Sequence, residues 1–176
     1  MIIGVDPGLS GGIAVVSSDG NRVDLVTCFH IPVFGKDAKR RVDVGEITRR
    51  VRMAVGGSNT HNLIDLCCIE RAQAMPEQGA SSGFVYGRAV GALEACMAML
   101  LAPVEIIESS SWKRTHGLIK TDKEASRQRA IMLFGSEHFQ LKKDHNVAEA
   151  ALIAWHGAKV VLSRLGSQQR SLKLTG

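Results

Sequence analysis

The order of the apolar segments is the feature that most constrains the fold of this chain. Three strand-like runs come first, at residues 1–8, 12–17 and 22–29, and the Asp-Gly of "SSDGN" predicts a hairpin between the last two. Helix-like and strand-like runs then alternate, which is the pattern of crossover connections in parallel sheets. We therefore expect an α/β domain around a mixed sheet, with an antiparallel meander on one side and helical crossovers on the other.

Hydrophobic periodicity predicts the segments that follow the meander. They are a helix at 44–55, a strand within 63–70, a helix at 82–101, a strand at "VEIIES", a helix at 121–134 capped by Thr121 or Asp122, and a last helix from about 146 to 165. A chain of 176 residues suits one domain. We expect residues 1–165 to form it and the polar residues 166–176 to be a flexible tail.

The composition is that of an ordinary globular protein, with 45% apolar residues. No run approaches the roughly 18 apolar residues of a membrane span, and "MIIGVD" lacks the basic start of a signal peptide. We therefore expect an intracellular protein with no membrane partner. Four cysteines lack metal-site spacing and are predicted to be small buried residues: Cys28, Cys67, Cys68 and Cys96.

The net charge of +5 makes a polyanionic partner plausible. Any one basic cluster is equally typical of a solvated face, but several clusters near candidate catalytic acids favour nucleic acid. The clusters are Lys36, Lys39, Arg40 and Arg41; Arg49, Arg50 and Arg52; Lys113 and Arg114; and Lys142 and Lys143.

Carboxylates inside otherwise apolar segments are the strongest sign of function. Asp6 lies in the first strand, Glu70 ends the fourth, and Glu149 lies in "VAEAALIAW", which is apolar almost all round, as in a buried helix. Asp144 stands at or just before the start of that helix. His145, four residues before Glu149, falls on the same side as Glu149 if the helix reaches it.

Each acid also has a structural explanation. Asp6 caps the turn, Glu70 pairs with Arg71, or Asp144 is an N-cap. Taken together, however, buried unpaired carboxylates are costly and repel one another, and hard divalent cations relieve that repulsion. The chemistry that needs such a cluster is two-metal phosphodiester hydrolysis.

Four motifs together resemble the RuvC family of Holliday junction resolvases, with most similarity to the branch of phage and chloroplast enzymes. They are "GVDPGLSGG", "CIERAQAMPEQGASSGF…GRAVG", "SSWKRTHGLIKTDKEASRQRA" and "KKDHNVAEAALIAWHG", in the right order over residues 1 to about 160. The resemblance implies a ribonuclease-H-like fold with a five-stranded mixed sheet flanked by helices. It also implies a homodimer that makes paired nicks in four-way junction DNA, in recombination and repair, using two Mg²⁺ ions that Mn²⁺ can replace. A protein of this kind is expected to be DNA-associated, in bacterial or phage-host cytoplasm or in an organelle.

The resemblance implies a tetrad of carboxylates. Asp6, Glu70 and Glu149 match three of its members. Bacterial RuvC has the fourth three residues before the last acid, which here is Asn146, whereas the "KKDHxxAEA" branch offers Asp144. We choose Asp144, with His145 as a possible catalytic helper.

The resemblance also implies contacts to DNA. Lys113 and Lys123 match two functionally important lysines near the scissile phosphate. Gln73 stands where bacterial RuvC has an aromatic wedge, so Met75 or Phe84 is the candidate for opening the junction centre. The full set of expected DNA-binding residues is Arg71, Gln73, Met75, Lys113, Arg114, Lys120, Lys123, Lys142 and Lys143.

The helix at 82–101 is the candidate dimer contact, although packing on the sheet is an equally ordinary use of its residues. Its small-residue stripe is Gly83, Gly87 and Gly91, and the apolar residues beside it are Val90, Leu93 and Met97.

A junction endonuclease is expected to have no small-molecule substrate. Two other functions remain as alternatives to it. "GVDPGLSGG" also resembles the first phosphate loop of ATPases and sugar kinases, but those proteins need a second lobe and an adenosine motif. A non-catalytic DNA-binding module is predicted to lack the acids, whereas all four candidates are present.

Overall fold

The computed structural model describes residues 1–36, 39–56, 63–73 and 79–164. The strands are β1 (Ile2–Asp6), β2 (Gly12–Ser18), β3 (Val23–His30), β4 (Val33–Phe34), β5 (Arg41–Val42), β6 (Leu66–Glu70) and β7 (Val104–Ile107). The helices are α1 (Val44–Ala54), α2 (Ala80–Met99), α3 (Ser109–His116), α4 (Lys123–Phe134) and α5 (His145–His156). A 3-10 turn at Lys142–Asp144 precedes α5, and a π-helical turn at Gly157–Val161 follows it.

The central sheet has five strands in the order β3-β2-β1-β6-β7. The first three strands form an antiparallel meander, while β6 runs parallel to both β1 and β7. The predicted mixed sheet, with its meander on one side and crossovers on the other, is therefore confirmed. The two strands β4 and β5 form a separate small sheet.

Helices cover both faces of the central sheet. Alternate residues of β1 enter different hydrophobic clusters, with Ile2 on the α5 side and Ile3 and Val5 on the side of α1 and α2. The molecule is a three-layer sandwich whose sheet is buried on both sides, and this is why its central strands are apolar almost throughout.

Helix α5 lies unusually close to the sheet because two glycines make room for it. A Cβ on Gly4 would lie 2.1 Å from the carbonyl oxygen of Ala150, and one on Gly12 would lie 2.6 Å from that of Asn146. Apart from the helix ends, α5 is buried almost all round, as its sequence predicts. Its depth places Glu149 directly over the strands.

The structure contains elements that the periodicity did not predict. The β4–β5 pair has two residues per strand, too few to show alternation. Helix α3 is short and begins in a run of serines, so its apolar signal is confined to the fully buried Trp112. The cap of α4 is Asp122, whose side chain accepts a hydrogen bond from the backbone of Ala125 at 2.9 Å. The predicted tail at 166–176 lies outside the described residues.

The proposed dimer surface on α2 needs correction. Leu93 and Met97 belong to the hydrophobic cluster shared with β1 and β6, and Val90 is buried as well, so none of the three is available to a partner. The glycine stripe faces the other way, because a Cβ on Gly83, Gly87 or Gly91 would meet no atom within 4 Å. These three apolar residues of α2 are thus buried inside the chain, while the glycines face open space.

The cysteines are all free thiols and, apart from the partly buried Cys28, are fully buried, as predicted. Burial raises the pKa of the Cys28, Cys67 and Cys68 thiols to about 12, which makes them poor nucleophiles. Among the described residues, no helix is long and apolar enough to cross a membrane.

Candidate active site

Two acids meet at the carboxyl ends of neighbouring parallel strands. Asp6 ends β1 and Glu70 ends β6. The register that pairs Val5 with Ile69 carries on to place Asp6 beside Glu70. Binding sites in open α/β sheets form at this edge, because the loops that follow the strands leave a crevice there.

A third acid reaches the same place from α5. Glu149 is only 7% exposed, and its Oε1 accepts a hydrogen bond of 3.0 Å from the hydroxyl of Ser126, a buried residue of α4. Nothing in the apolar pattern singled out Ser126. Its signal is positional, since it stands three residues after Lys123 and therefore on the same face of α4.

The electrostatics show that these three acids act on one another. Burial raises the pKa of Asp6 well above its ordinary value, and the nearby charges of Glu149 and Glu70 raise it further. Burial also raises the pKa of Glu149, a change that the Ser126 hydrogen bond opposes. Three carboxylates thus lie within electrostatic range in a poorly solvated site, which is the arrangement that a bound cation would stabilise.

Two lysines supply the opposing charge. Lys113, on α3, and Lys123, at the start of α4, both lower the pKa of Asp6 and of Glu149. The Lys123 ammonium donates a hydrogen bond of 3.2 Å to Nε2 of His145. His145 Nδ1 lies 2.8 Å from the carbonyl oxygen of Lys142, which can only accept, so Nδ1 is the donor there and Nε2 is the nitrogen that faces Lys123. The structure therefore brings five of the predicted catalytic residues together and links His145 to them through Lys123.

A cleft of about 330 Å³ opens beside the acids. Its lining residues are Asp6, Pro7, Glu70, Arg71, Gln73, Tyr86 and Ser109. The pKa of the Tyr86 phenol is raised by burial and by the charges of Asp6 and Glu70, so this hydroxyl stays protonated beside the carboxylates. Tyr86 was not among the predicted site residues, because a tyrosine on an apolar helix has the appearance of a core residue.

A purely structural role for Glu70 would require an ion pair with Arg71. The structure does not contain that ion pair. Arg71 instead forms an ion pair with Glu108 at the end of β7, and both side chains are about half exposed. Glu70 is therefore left facing the cleft without an arginine partner among the described residues.

The two candidates for a fourth acidic position lie apart from this cluster. Asp144 is the N-cap residue of α5. Its carboxylate contacts Nε2 of His30 at 3.2 Å and accepts a hydrogen bond of 2.8 Å from the backbone of Leu141. Asn146 donates to the carbonyl oxygen of Ser10 at 2.6 Å. The structure brings neither side chain into contact with Asp6, Glu70 or Glu149.

The other expected DNA-binding residues that the structure describes are solvent-exposed. Gln73 lies at the cleft, exposed to solvent. Four basic residues are exposed: Arg114, Lys120, Lys142 and Lys143. Met75 lies outside the described residues, and Phe84 is 69% exposed on α2.

Hard oxygen donors make up the acidic cluster, and their charges suit a divalent cation. In the described part of the chain, no group of three or more His, Cys, Asp and Glu side chains is already gathered into a metal-binding cluster. The carboxylates of Asp6, Glu70 and Glu149 nevertheless suit a divalent cation, because they are oxygen donors and carry excess negative charge. Their oxygens would move together around the ion when it binds.

Comparison with solved structures identifies the architecture. RuvC of Thermus thermophilus in complex with a Holliday junction substrate superposes with a TM-score of 0.66 and 21% identity, over 94% of this chain and 96% of that one. Another T. thermophilus RuvC structure gives 0.64, also at 21% identity, with the same coverage of both chains. The yeast mitochondrial Holliday junction resolvase gives 0.56 at 12% identity, over 97% of this chain and 83% of that one.

The chain has a ribonuclease-H-like fold. This confirms the fold that the four motifs implied. No protein-family model matches the chain. No curated protein matches it either. At these identities the neighbours establish the fold, and the function is argued from the site.

Proposed function

We propose that this protein is a structure-selective endonuclease that resolves four-way DNA junctions by metal-dependent hydrolysis of phosphodiester bonds. The observation that carries the proposal is that Asp6, Glu70 and Glu149, from two strands and a buried helix, lie within electrostatic range of one another and of Lys113 and Lys123. Structural neighbours that are themselves Holliday junction resolvases support the choice of substrate. The "KKDH" and "AEA" motifs favour the phage and chloroplast branch of these enzymes.

Asp6, Glu70 and Glu149 are the residues that would hold the metal, which we propose to be two Mg²⁺ ions, replaceable by Mn²⁺. When bound, such ions activate a water molecule for attack and stabilise charge on the phosphate and on the leaving oxygen. The buried Ser126 keeps the Glu149 carboxylate directed at the site. Burial beneath α5 excludes bulk water from this side and so strengthens the local electrostatics.

The lysines act on the substrate. Lys113 and Lys123 face a group of negative charges and are placed to attract a phosphate brought beside the acids. His145 accepts a hydrogen bond from Lys123, which holds the ammonium at the site. Exposed basic residues around the cleft would contact the sugar–phosphate backbone, which determines affinity and position more than sequence preference.

We retain Asp144 as the proposed fourth acid. To join the others, its carboxylate must leave His30 and the backbone of Leu141, so its use as a ligand requires a change of side-chain conformation. The competing assignment, to Asn146, would likewise break the hydrogen bond to Ser10.

The test is cleavage of a labelled four-way junction, compared with a linear duplex of the same sequence, with Mg²⁺ or with EDTA. We expect cleavage of the junction alone, and only with metal. Asp6→Asn, Glu70→Gln and Glu149→Gln should each abolish cleavage and leave junction binding largely intact, since phosphate contacts carry most of the affinity. Near-normal cleavage by any of the three variants would contradict the assignment.

The same assay ranks the candidates for the fourth position. Asp144→Asn should raise the Mg²⁺ concentration needed for half-maximal cleavage and strongly reduce turnover, whereas Asn146→Ala should have little effect. The reverse ranking would mean that the chain follows the bacterial spacing.

A further inference from the structure

A groove leads away from the carboxylate cleft along α2. It consists of the cleft itself and of two more cavities, of about 370 and 140 Å³. Tyr86 borders both the cleft and the first of these cavities, and Leu9 and Val85 border both of the others. Because neighbouring cavities share lining residues, the three lie in a row from the acids to the β4–β5 pair, and we refer to this row as the groove.

The far end of this groove carries positive charge that the described part of the chain does not neutralise. Arg40, Arg41 and Arg88 line it, and none of them forms a salt bridge with a carboxylate of the described residues. The contrast with α1 is clear, since Arg49 and Arg50 are both held by Glu46 at 2.7 Å. The groove arginines are therefore available to an anionic ligand.

Contacts with neighbouring residues hold the side chain of Arg88 in place. The Arg88 guanidinium donates to the backbone carbonyl of Arg40 at 3.0 Å and lies 5.8 Å from the centre of the Phe84 ring. Both contacts leave its remaining donors free of a carboxylate partner and hold its charge beside the floor of the groove.

The floor of the groove is apolar and aromatic, which indicates the form of the ligand. Leu9, Val85 and Ala89 line it, and Phe34 stands at its edge with 53% of its surface exposed. Grooves that combine cations with exposed aromatic rings bind unpaired nucleotides, whose bases stack while their phosphates meet the cations. A cavity of about 140 Å³ admits a base or a phosphate and is far too small for a double helix.

We infer that this groove binds an unpaired DNA strand that leads to the carboxylate cleft. Arg41 and Arg88 would hold its phosphates, and Phe34 with the apolar floor would contact its bases. The inference rests on the proposed function, because the groove begins at the residues assigned to cleavage. It adds a single-strand subsite outside the set of DNA contacts that the motifs implied.

The test is binding of a short fluorescein-labelled oligo(dT) to the full-length protein in EDTA, followed by anisotropy. Arg41→Gln and Phe34→Ala change exposed side chains, so thermal melting should show that both variants fold. Each should weaken binding roughly fivefold or more, in keeping with about 1–3 kcal/mol per stacked base and with the loss of one phosphate contact. Arg22→Gln is the control, because it removes the same charge at the β2–β3 turn, at the opposite end of the sheet from Asp6.

The outcomes separate this inference from the proposed function. If the wild type cuts junctions but both variants bind the oligonucleotide as the wild type does, the groove is not a strand subsite and the inference fails. The same conclusion follows if Phe34→Ala instead abolishes a dimer seen by sedimentation, with unchanged binding. If the wild type never cuts junctions and the two variants still lose binding, the proposed function fails and the groove stands.

Discussion

At the scale of single residues, Asp6 is a carboxylate that the folded chain keeps beside two others. Burial, Glu149 and Glu70 raise its pKa well above the ordinary 3.8. At low pH the carboxyl is protonated in both the folded and the unfolded protein, so it does not change the free energy of unfolding. As the pH rises above the ordinary value, the unfolded state loses its proton first, so the folded state loses stability until the raised pKa is passed.

Asp6→Asn should therefore stabilise the metal-free protein at neutral pH and have little effect near pH 4, a value close to the ordinary pKa. Urea unfolding in EDTA at the two pH values measures the difference. Mg²⁺ should raise the free energy of unfolding of the wild type more than that of Asp6→Asn, because ligands stabilise the state that binds them. Asp24→Asn, in β3, is the control. An Asp6→Asn variant less stable than the wild type at neutral pH would contradict this account.

Ser126 is the residue-scale support of the site. Ser126→Ala removes the donor to Glu149 and leaves a buried carboxylate oxygen without that partner, which typically costs about 1–3 kcal/mol. We expect cleavage to fall roughly tenfold to a hundredfold, with a higher Mg²⁺ requirement, as for other partners of metal ligands. Ser126→Thr keeps the hydroxyl and should restore most of the activity. A normal Mg²⁺ dependence in Ser126→Ala would show that the hydroxyl is dispensable. Ser136→Ala, which changes an exposed serine, is the control.

At the scale of elements, the contact between α5 and the sheet decides the depth of the site. Gly4→Ala would force a methyl group against the backbone of Ala150, and overpacking of this kind costs about 1–3 kcal/mol or more. Gly87→Ala is the matched control, since its Cβ would meet open space on α2 and helical alanine is favoured over glycine by about 0.5–1 kcal/mol. Urea midpoints should move in opposite directions. Equal midpoints would mean that α5 does not pack as described.

At the scale of the whole molecule, the described part of one chain provides one group of buried acids, whereas a four-way junction offers two symmetric scissile phosphates. We therefore propose a twofold homodimer that supplies one cluster to each. Sedimentation at micromolar concentration, with and without junction, tests this. A strictly monomeric protein that cuts both strands in one encounter would contradict it.

The basic surface should make junction binding sensitive to salt. Each neutralised phosphate releases counterions and contributes about 0.9 to the log–log slope for duplex DNA. Anisotropy titrations over a range of salt concentrations should show a steep decline in affinity, and a Lys142→Gln, Lys143→Gln variant should reduce the slope. If the affinity for the junction does not change with salt concentration, these lysines do not contact DNA phosphates.

The sequence alone was sufficient to predict the sheet and the acids within it. Local periodicity reports which residues share a face, so it placed Asp6 and Glu70 at strand ends and Glu149 in a buried helix. It also reports the order of strands and crossovers, which restricts an α/β chain to few topologies. These properties follow from neighbours along the chain.

Only the tertiary structure decided which distant groups meet. It turned Asp144 toward His30, paired Arg71 with Glu108, placed Ser126 under Glu149 and buried the apolar side of α2 in the core. It also showed that Arg49 and Arg50 of α1 pair with Glu46, whereas Arg40, Arg41 and Arg88 form no salt bridge with a carboxylate of the described residues. Such contacts join segments that are far apart in sequence, and their geometry depends on how closely helices and sheet approach, which no local pattern records.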